Sequence, residues 1–387
     1  MRPRAYALIL LGTLLVGCMV YLLGQLVLHR SGEMMSVDEL VERQRETNGL
    51  YFGFTVPTGN YKLAAYALRK PEIVILGSSR AHRQHQAYYL RPSYSMSGLV
   101  VIPRQALQIL DLLTPIHKPK FVVYSLDFFA LCRRSPFRGD VSRIARPKGA
   151  PGGTGWESLS QFSVVPRLIV RNVLSLQDAA DFALGRIAES REGVRLYGLV
   201  AMKERLGFGL DGTVYEVKGR MQDAATFESS AREVVEGTLH YQSGCHYDPE
   251  AVAHLLILQN EMDRQGVRLI VLLPPMAPSV YRAFMAARPD ISGYFKTWQA
   301  ERARLNLPDL HDLSDGAEIG ATDVEFSDAT HGGDVSEARM LLKASETPGS
   351  ALSEIVNRSV LQRLIRERGG WMSVELSYYL RVLNTRN

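Results

Sequence analysis

Short apolar runs alternate along the chain with segments of helical periodicity. The runs at 73–76, 120–126 and 267–275 are rich in Val, Ile and Leu, which is typical of strands buried on both faces of a parallel sheet. Segment 103–114 instead repeats its apolar residues near a 3.6-residue spacing, and 249–265 is expected to be another helix. This alternation predicts an α/β fold, a three-layer α/β/α sandwich in which a parallel sheet with right-handed crossovers lies between two helical layers.

The same pattern divides the chain into four parts. Residues 1–30 are expected to form a membrane anchor, and residues 31–66 a membrane-proximal linker with an amphipathic helix. Residues 67–345 form the predicted α/β domain. The strand–helix rhythm breaks at about 133–240, and we interpret this insertion as a cap over the edge of the sheet from which the strand-to-helix loops emerge. Residues 346–387 are expected to form a helical segment.

An uncharged apolar segment covers residues 5–28. As a helix it reaches about 36 Å at about 1.5 Å per residue, enough to cross a hydrocarbon core of about 30 Å. Because Arg2 and Arg4 precede it, the positive-inside preference predicts a single-pass protein of the cell inner membrane with its α/β domain in the periplasm. A lipid-modified Cys18 and a cleaved signal peptide are the alternatives. The apolar sequence that continues past Cys18 favours an uncleaved anchor.

The composition is that of an ordered globular chain. Of 387 residues, 46% are hydrophobic and 22% are charged, so disorder is not expected. The net charge of +5 is spread without a run of Lys or Arg, and nucleic acid is therefore not an expected partner. Besides Cys18 the chain has Cys132 and Cys245. An oxidising periplasm would allow them to pair, but neither has a partner at a recognisable spacing, and we expect both to be unpaired.

A serine stands at the turn that ends the first strand of the α/β domain. Ser79 follows Gly77 and Ser78, and a serine at such a turn projects its oxygen from the carboxyl-terminal edge of the sheet, beside free backbone N–H groups. About 250 residues later, Asp328 and His331 form a D-x-x-H sequence on a predicted loop. An imidazole held by a carboxylate is the base that a nucleophilic serine needs. We therefore predict that Ser79 is the nucleophile, His331 its base and Asp328 the residue that orients the base.

The two blocks resemble the SGNH (GDSL-like) hydrolase superfamily. In that family the first block is Gly-Asp-Ser after the first strand, and the last is Asp-x-x-His near the carboxyl terminus. Here the first block reads Gly-Ser-Ser-Arg with Ser79 in the nucleophile position, and the last is Asp328 with His331. The Gly-Ser-Ser-Arg variant looks most like the membrane-anchored cell-envelope branch, which includes proteins of alginate O-acetylation and of teichoic-acid D-alanylation. The resemblance covers roughly residues 70–132 and 250–345.

The resemblance also implies an oxyanion hole, which the family completes with a glycine and an asparagine. Gly98 matches the glycine, so the N–H groups of Ser79 and Gly98 are the expected donors. In place of the asparagine stands Asp127, and an ionised carboxylate cannot donate to a developing oxyanion. Asp127 is instead expected to be protonated, to bind a substrate hydroxyl or to hold an arginine. Arg80 is expected to steer an anionic substrate or, as we favour, to form a structural salt bridge.

The expected reaction is acyl transfer through a covalent acyl-serine. Water as the second nucleophile gives an esterase, and a sugar hydroxyl gives an O-acetyltransferase. The anchor and the resemblance imply that the substrate is a cell-envelope or secreted polysaccharide, with a membrane-bound acyltransferase or acyl donor as partner. The alternative is a non-catalytic, SGNH-like protein that binds glycan or assembles a polysaccharide machine. In that case Ser79 only shapes a turn and His331 caps a helix.

No cofactor and no metal ion are expected. The chain has no glycine-rich nucleotide-binding signature. His82 and His85 are close in sequence, but two histidines without further nearby ligands are weak support for a metal site. We expect both to be surface histidines.

Overall fold

The computed structural model of the chain describes residues 3–133, 164–187, 190–191, 193–238 and 244–384. It divides into two compact units. The first consists of Met1–Ala64 with Arg146–Leu210, and the second of Ala65–Ala145 with Asp211–Asn387. The expected division into a linker, a cap and an α/β domain is therefore different in the structure. The predicted linker belongs to the same unit as the anchor, and the insertion is shared between the two units.

The described residues contain short strands and both long and short helices. The strands are β1 (Leu50–Tyr51), β2 (Ile73–Gly77), β3 (Ser93–Ser95), β4 (Phe121–Ser125), β5 (Ser190–Arg191), β6 (Val194–Tyr197), β7 (Leu206–Phe208), β8 (Val214–Glu216), β9 (Arg268–Leu273) and β10 (Leu310–Asp312). The helices are α1 (Pro3–Arg30), α2 (Val37–Thr47), α3 (Thr58–Arg69), α4 (Pro103–Leu113), α5 (Val164–Val170), α6 (Leu176–Ala183), α7 (Leu199–Glu204), α8 (Ala224–Glu236), α9 (Pro249–Gln265), α10 (Pro278–Ala286), α11 (Pro289–Glu301), α12 (Asp334–Ser345), α13 (Leu352–Ile355), α14 (Arg358–Arg368) and α15 (Leu376–Asn384).

In the first unit, a small mixed sheet lies close to the end of α1. Strand β1 pairs in parallel with β6 and antiparallel with β7. Within α1, residues Ile9–Arg30 are long and apolar enough to cross a membrane. Just beyond α1, the buried carboxylate of Glu33 accepts the N–H groups of Phe54, Thr55 and Leu199 at 2.8–3.0 Å. These bonds fasten the end of α1 to the segments that flank β1 and β6.

The second unit contains a parallel sheet with the strand order β3-β2-β4-β9-β10. All its neighbouring strands are parallel, which confirms the predicted α/β class and the parallel sheet. Strands β2 and β4 are buried along their whole length, in keeping with their continuous apolar sequence. Helix α4 packs against α9, and α12 packs against α14. The residues expected to form a carboxyl-terminal helical segment contain α13, α14 and α15.

The strand order reverses direction between β2 and β4. From β2 the chain moves to β3 on one side, and the later strands β4, β9 and β10 follow in order on the other side. In open α/β sheets, ligands bind beyond the carboxyl ends of the strands at such a reversal point. The residues that follow β2 and β4 therefore lie where ligands bind in sheets of this kind.

A disulfide joins Cys132 to Cys245, with the two Cα atoms 5.6 Å apart. The expectation that both cysteines are unpaired is wrong. Cys132 follows a 3-10 turn (Phe128–Leu131) after β4, and its backbone forms a β-bridge with Tyr247. The disulfide joins residues 113 positions apart in the sequence, a pairing that spacing alone cannot reveal.

Candidate active site

The turn after β2 presents Ser79 to solvent. A Cβ atom on Gly77 would lie 2.9 Å from the Cβ of Ala81 and 3.0 Å from that of Ser125, so this close packing requires glycine. Ser79 begins a 3-10 turn that ends at Ala81, and the Ser78 side chain caps it by accepting the Arg80 N–H at 3.1 Å. Both neighbours of Ser79 are buried, whereas Ser79 is exposed. The turn therefore leaves Ser79 accessible from solvent and keeps Ser78 buried.

The Asp328–His331 loop fixes the imidazole through the aspartate. Asp328 Oδ1 accepts the backbone N–H groups of Thr330 and His331, both at 2.9 Å. Asp328 Oδ2 lies 2.7 Å from His331 Nδ1. The loop is closed by the N–H of Ser327, which donates to the carbonyl of His331 at 3.0 Å. Because the carboxylate accepts at Nδ1, that nitrogen carries the proton and Nε2 is left as an acceptor.

The structure brings the three predicted residues together. Ser79 Oγ lies 2.7 Å from His331 Nε2, across 252 residues of sequence. The side chains of His331 and Asp328 are about one-third and one-quarter exposed, so the group is open to a substrate. A hydroxyl, an acceptor imidazole nitrogen and a carboxylate in this order are the arrangement that nucleophilic catalysis by serine requires.

The Asp328 carboxyl is held in its ionised form. Its burial acts to raise the pKa, but the hydrogen bond and charge of His331 and the backbone N–H groups of Thr330 and His331 outweigh it and hold the pKa well below the usual range. Asp328 therefore remains a carboxylate at neutral pH. It can orient the imidazole and stabilise the imidazolium that forms when Ser79 loses its proton.

Arg80 is buried and directs all its contacts inward. Its Nε donates to the carbonyl of Thr330 at 2.8 Å, and its Nη2 donates to the carbonyls of Pro274 and Pro275 at 2.9 and 2.7 Å. Its Nη1 lies 3.4 Å from Asp127 Oδ1. With 2% of its surface exposed, Arg80 cannot bind a substrate, so the tentative substrate-binding role is wrong and the favoured salt bridge is what the structure contains.

Asp127 is fully buried and does not reach the cleft either. Burial raises its pKa, opposed by the Arg80 charge and by the Ser78 hydroxyl. Its tentative role in binding substrate is therefore also wrong. Of the alternatives left open by the sequence, the structure contains the bond to an arginine. Together Arg80 and Asp127 tie the ends of β2, β4 and β9 to the carbonyl of Thr330, the residue before His331.

Gly98 does not supply an oxyanion donor in this structure. Its N–H already donates to the carbonyl of Gly77 at 2.9 Å. Gly98 has a φ of +83°, and a Cβ atom added to it would lie only 2.7 Å from His82 Nε2. Both facts explain why glycine occurs here. The predicted donor role of Gly98 is therefore wrong, and its role is to pack against His82 and β2. The N–H of Ser79 remains suitable, because the first residue of a helical turn has no partner within that turn.

The Asp328–His331 loop is also supported from outside by two residues that the sequence did not indicate. Ser230 on α8 accepts the Ala329 N–H at 2.8 Å, and Gln222 donates to the carbonyls of Asp323 and Phe326. Both residues lie in the segment expected to form a cap. The sequence carries no signal for these contacts, because a single hydroxyl or amide gives no periodicity and no motif.

His85 is likewise not a surface residue. It is fully buried, and its Nε2 lies 2.8 Å from Asp334 at the start of α12. Its ring packs against those of Tyr215 and Tyr379, with centroids 4.4 and 4.2 Å away and the ring planes tilted. Within the described part of the chain, no three or more His, Cys, Asp or Glu side chains form a group that fits a metal ion.

Glu337 on α12 has a buried carboxyl group that lies close to Gly332, the residue after His331. A Cβ on Gly332 would be 3.2 Å from Glu337 Oε1. Burial raises the pKa of Glu337 from 4.5 to about 8, against the lowering effects of Gln84 and Arg80. In the folded protein this carboxyl is therefore neutral at pH 7.

We predict a stability change from Glu337→Gln that depends on pH. Between about pH 4.5 and 8 the folded protein keeps this proton and the unfolded chain loses it, so the free energy of unfolding falls as pH rises through this window. Glutamine mimics the neutral form and should remove that fall. Urea unfolding at about pH 5 and about pH 8.5 checks this, with exposed Glu318→Gln as control. An unchanged pH dependence in Glu337→Gln would contradict it.

Comparison of the chain with protein-family models, with curated proteins and with solved structures yields no match. Membership of the SGNH superfamily therefore stays a prediction from the two sequence blocks.

Proposed function

We propose that this chain is a serine-dependent enzyme of acyl transfer or ester hydrolysis. The observation that carries the proposal is the continuous series of 2.7 Å contacts from Ser79 Oγ through His331 to Asp328. Its position supports the same conclusion, because Ser79 follows β2 at the reversal point of the parallel sheet. A structural serine has no need of an imidazole held at this distance and in this tautomer.

In the first half-reaction, Ser79 Oγ attacks the carbonyl carbon of an ester. Its proton passes to His331 Nε2 while a C–O bond forms, and the carbonyl oxygen becomes an oxyanion within reach of the Ser79 N–H. Asp328 stabilises the resulting imidazolium. Collapse of the tetrahedral intermediate breaks the bond to the leaving alcohol, which takes the proton from His331, and an acyl-serine remains.

In the second half-reaction, an incoming hydroxyl gives its proton to His331 and attacks the acyl-serine. Water releases the free acid and regenerates Ser79, whereas a sugar hydroxyl yields an acylated sugar. The exposed site is compatible with either nucleophile. We propose a cell-envelope or secreted polysaccharide as the substrate, supported by the membrane helix and the sequence resemblance. A membrane-bound acyltransferase or acyl donor is the proposed partner.

We also propose a layer architecture for the second unit and a cellular compartment for the site. We take the parallel sheet, with α4 packed on α9 and α12 on α14, to be the centre of a three-layer sandwich. We place the site in the periplasm of a cell with an inner membrane, because the charges flanking α1 favour a cytoplasmic amino terminus. The disulfide between Cys132 and Cys245 supports an oxidising compartment.

We predict that an alkaline phosphatase fusion near residue 60 is active. The apolar length of Ile9–Arg30 and the position of Arg2 and Arg4 before this stretch both favour export of everything after Arg30. Enzyme activity in intact cells is the measurement. A cytoplasmic reporter fused at the same site is the control, and an active cytoplasmic reporter with an inactive phosphatase would reverse the orientation.

The proposed function is tested by rapid-quench kinetics with a small activated acetyl ester. An acyl-serine enzyme releases the first alcohol in a burst that is stoichiometric with enzyme, and the acetyl group stays on the protein until the second step. Adding a soluble glycan acceptor should shorten the life of the acetyl-enzyme if transfer is the function. A purified, folded protein that shows neither a burst nor protein-bound acetyl would overturn the proposal.

A second candidate is a non-catalytic SGNH-like protein that binds glycan or organises a polysaccharide machine. The observation in its favour is the incomplete oxyanion hole, since the Gly98 N–H is engaged and Asp127 replaces the expected asparagine. Losing one oxyanion donor typically lowers the rate by about 10²–10³-fold. The burst experiment separates the two candidates, because a binding protein forms no acetyl-serine.

A further inference from the structure

A cavity of about 510 Å³ opens in the first unit at the point where α1 ends. Its walls come from the last turns of α1, from the segment before α2, from α2 itself and from the end of β6. Its lining combines apolar with cationic side chains. Among them are Leu26, His29, Arg30, Met34, Met35 and Arg43.

The cavity lies at the depth of lipid headgroups if α1 crosses a membrane, as proposed above. The stretch of α1 that is apolar enough to span ends at Arg30, and the cavity begins beside this residue. Leu26, one turn earlier on α1, is 41% exposed and faces the hydrocarbon side of the boundary. A ligand that enters from the bilayer therefore meets apolar side chains first and the arginines after them.

The charges of the lining favour an anion. Arg30 and Arg43 are exposed, and the single acidic lining residue, Glu39, pairs with Arg43 at 2.8 Å. The lining therefore keeps a net positive charge. Met34 and Met35 provide unbranched side chains that adapt to the glycerol and upper acyl region of a lipid.

The helices next to α1 also expose large apolar side chains. Helices α5 and α6 contact α1, and Arg30 lies against Gly185, just after α6. Large apolar side chains around these two helices are turned outward: Val170 is 83% exposed, Leu176 73% and Leu184 61%. Exposed apolar residues beside arginines are the pattern of surfaces that rest in a membrane interface.

We propose that this cavity binds an anionic membrane phospholipid, with its phosphate between Arg30 and Arg43 and its acyl chains along Leu26 and α1. The bound lipid would fix the height and orientation of the first unit on the bilayer. This inference rests on the membrane location of α1 and does not depend on the chemistry at Ser79.

The test uses the full chain in detergent micelles, titrated with short-chain phosphatidylglycerol and with short-chain phosphatidylcholine. Native mass spectrometry counts the bound lipid and gives the dissociation constant. Arg30→Gln and Arg43→Gln are each expected to weaken phosphatidylglycerol binding about fivefold, because a basic residue near an anionic lipid contributes about 1 kcal/mol. Arg45→Gln is the matched control, since Arg45 lies on the same helix, pairs with Glu42 and does not line the cavity.

Tighter binding of phosphatidylglycerol than of phosphatidylcholine, weakened about fivefold in Arg30→Gln and in Arg43→Gln and kept in Arg45→Gln, supports the proposal. Equal binding of the two lipids, equal effects of Arg43→Gln and Arg45→Gln, or full competition by inorganic phosphate alone would overturn it. A phosphatidylglycerol with a photoreactive acyl chain provides a second test on the unmodified chain. Cross-links are expected at Leu26, Met34 or Met35, and cross-links confined to other parts of the chain would contradict the site.

Discussion

Replacing Ser79 by Ala is expected to lower the turnover rate on an acetyl ester by about 10⁴-fold or more, the size of effect that follows loss of a catalytic nucleophile. The reason is that Ser79 Oγ is the atom held 2.7 Å from His331 Nε2. Without this oxygen atom no acyl-enzyme forms, and the ester is not hydrolysed through a covalent intermediate. Steady-state hydrolysis of a small acetyl ester, followed at several substrate concentrations, measures the change.

The neighbouring serine provides the matched control for this prediction. Ser78 is buried and caps the turn by accepting the Arg80 N–H, so Ser78→Ala should cost about 1 kcal/mol of stability and leave most of the activity. His331→Ala should lose nearly as much as Ser79→Ala, and the double variant little more than either, because the two residues act as one unit. If Ser78→Ala were the inactive variant, Ser79 would not be the nucleophile.

Asp127→Asn is expected to lower the free energy of unfolding by about 3–5 kcal/mol. The substitution leaves the guanidinium of Arg80 buried without its counter-charge, although its bonds to the carbonyls of Thr330, Pro274 and Pro275 remain. Urea unfolding at neutral pH measures this. Glu72→Gln is the control, because Glu72 pairs with Arg91 and Lys120 at the surface, where such pairs are worth about 1 kcal/mol or less.

The same variant separates two roles for the carboxylate. If Asp127 faced the developing oxyanion, asparagine would supply the missing donor and raise ester hydrolysis. Its burial and its contact with Arg80 predict no such gain. Because Arg80 holds the Thr330 carbonyl next to His331, we expect a lower rate in the folded fraction of Asp127→Asn. A clear increase in hydrolysis would contradict the role assigned to this pair.

The sequence was sufficient for those parts of the site that depend on local chain geometry. An apolar strand ending in Gly77 and two serines defines a turn at the sheet edge, and Asp328 with His331 defines a loop that bonds to itself. Parallel strands bring their carboxyl ends to the same edge, so the distance between the two blocks in sequence was no obstacle to expecting them in one place. The parallel sheet itself followed from the continuous apolar runs.

The salt bridge of Arg80 was the favoured prediction, and an arginine was one of the expected partners of Asp127. The burial of this pair and the engaged N–H of Gly98 could not be predicted, because they depend on long-range packing. Arg80 has a buried position only because the carbonyls after β9 and the ring of Phe128 surround it. The Gly98 N–H is engaged because β3 leads back to the carbonyl of Gly77. A family motif assigns roles to such residues by their position in the sequence. Their actual hydrogen-bond and ion-pair partners depend on the folded structure.

The unit boundaries and the disulfide were missed for a related reason. The segment 31–66 has few long apolar runs, so it resembled a linker, yet Glu33 and β1 join it to residues near 196–199. Cys132 and Cys245 are paired by the β-bridge beside them. Contacts between residues more than 100 positions apart leave no trace in local periodicity.

Fluorophosphonate labelling tests whether His331 activates Ser79. The purified full chain is treated with the probe, digested and mapped by mass spectrometry, beside Ser78→Ala, Ser79→Ala and His331→Ala. We expect one adduct, on Ser79, that persists in Ser78→Ala and is lost in both other variants. A folded wild-type chain that takes up no probe, or an adduct on Ser79 that forms equally fast without His331, would contradict it.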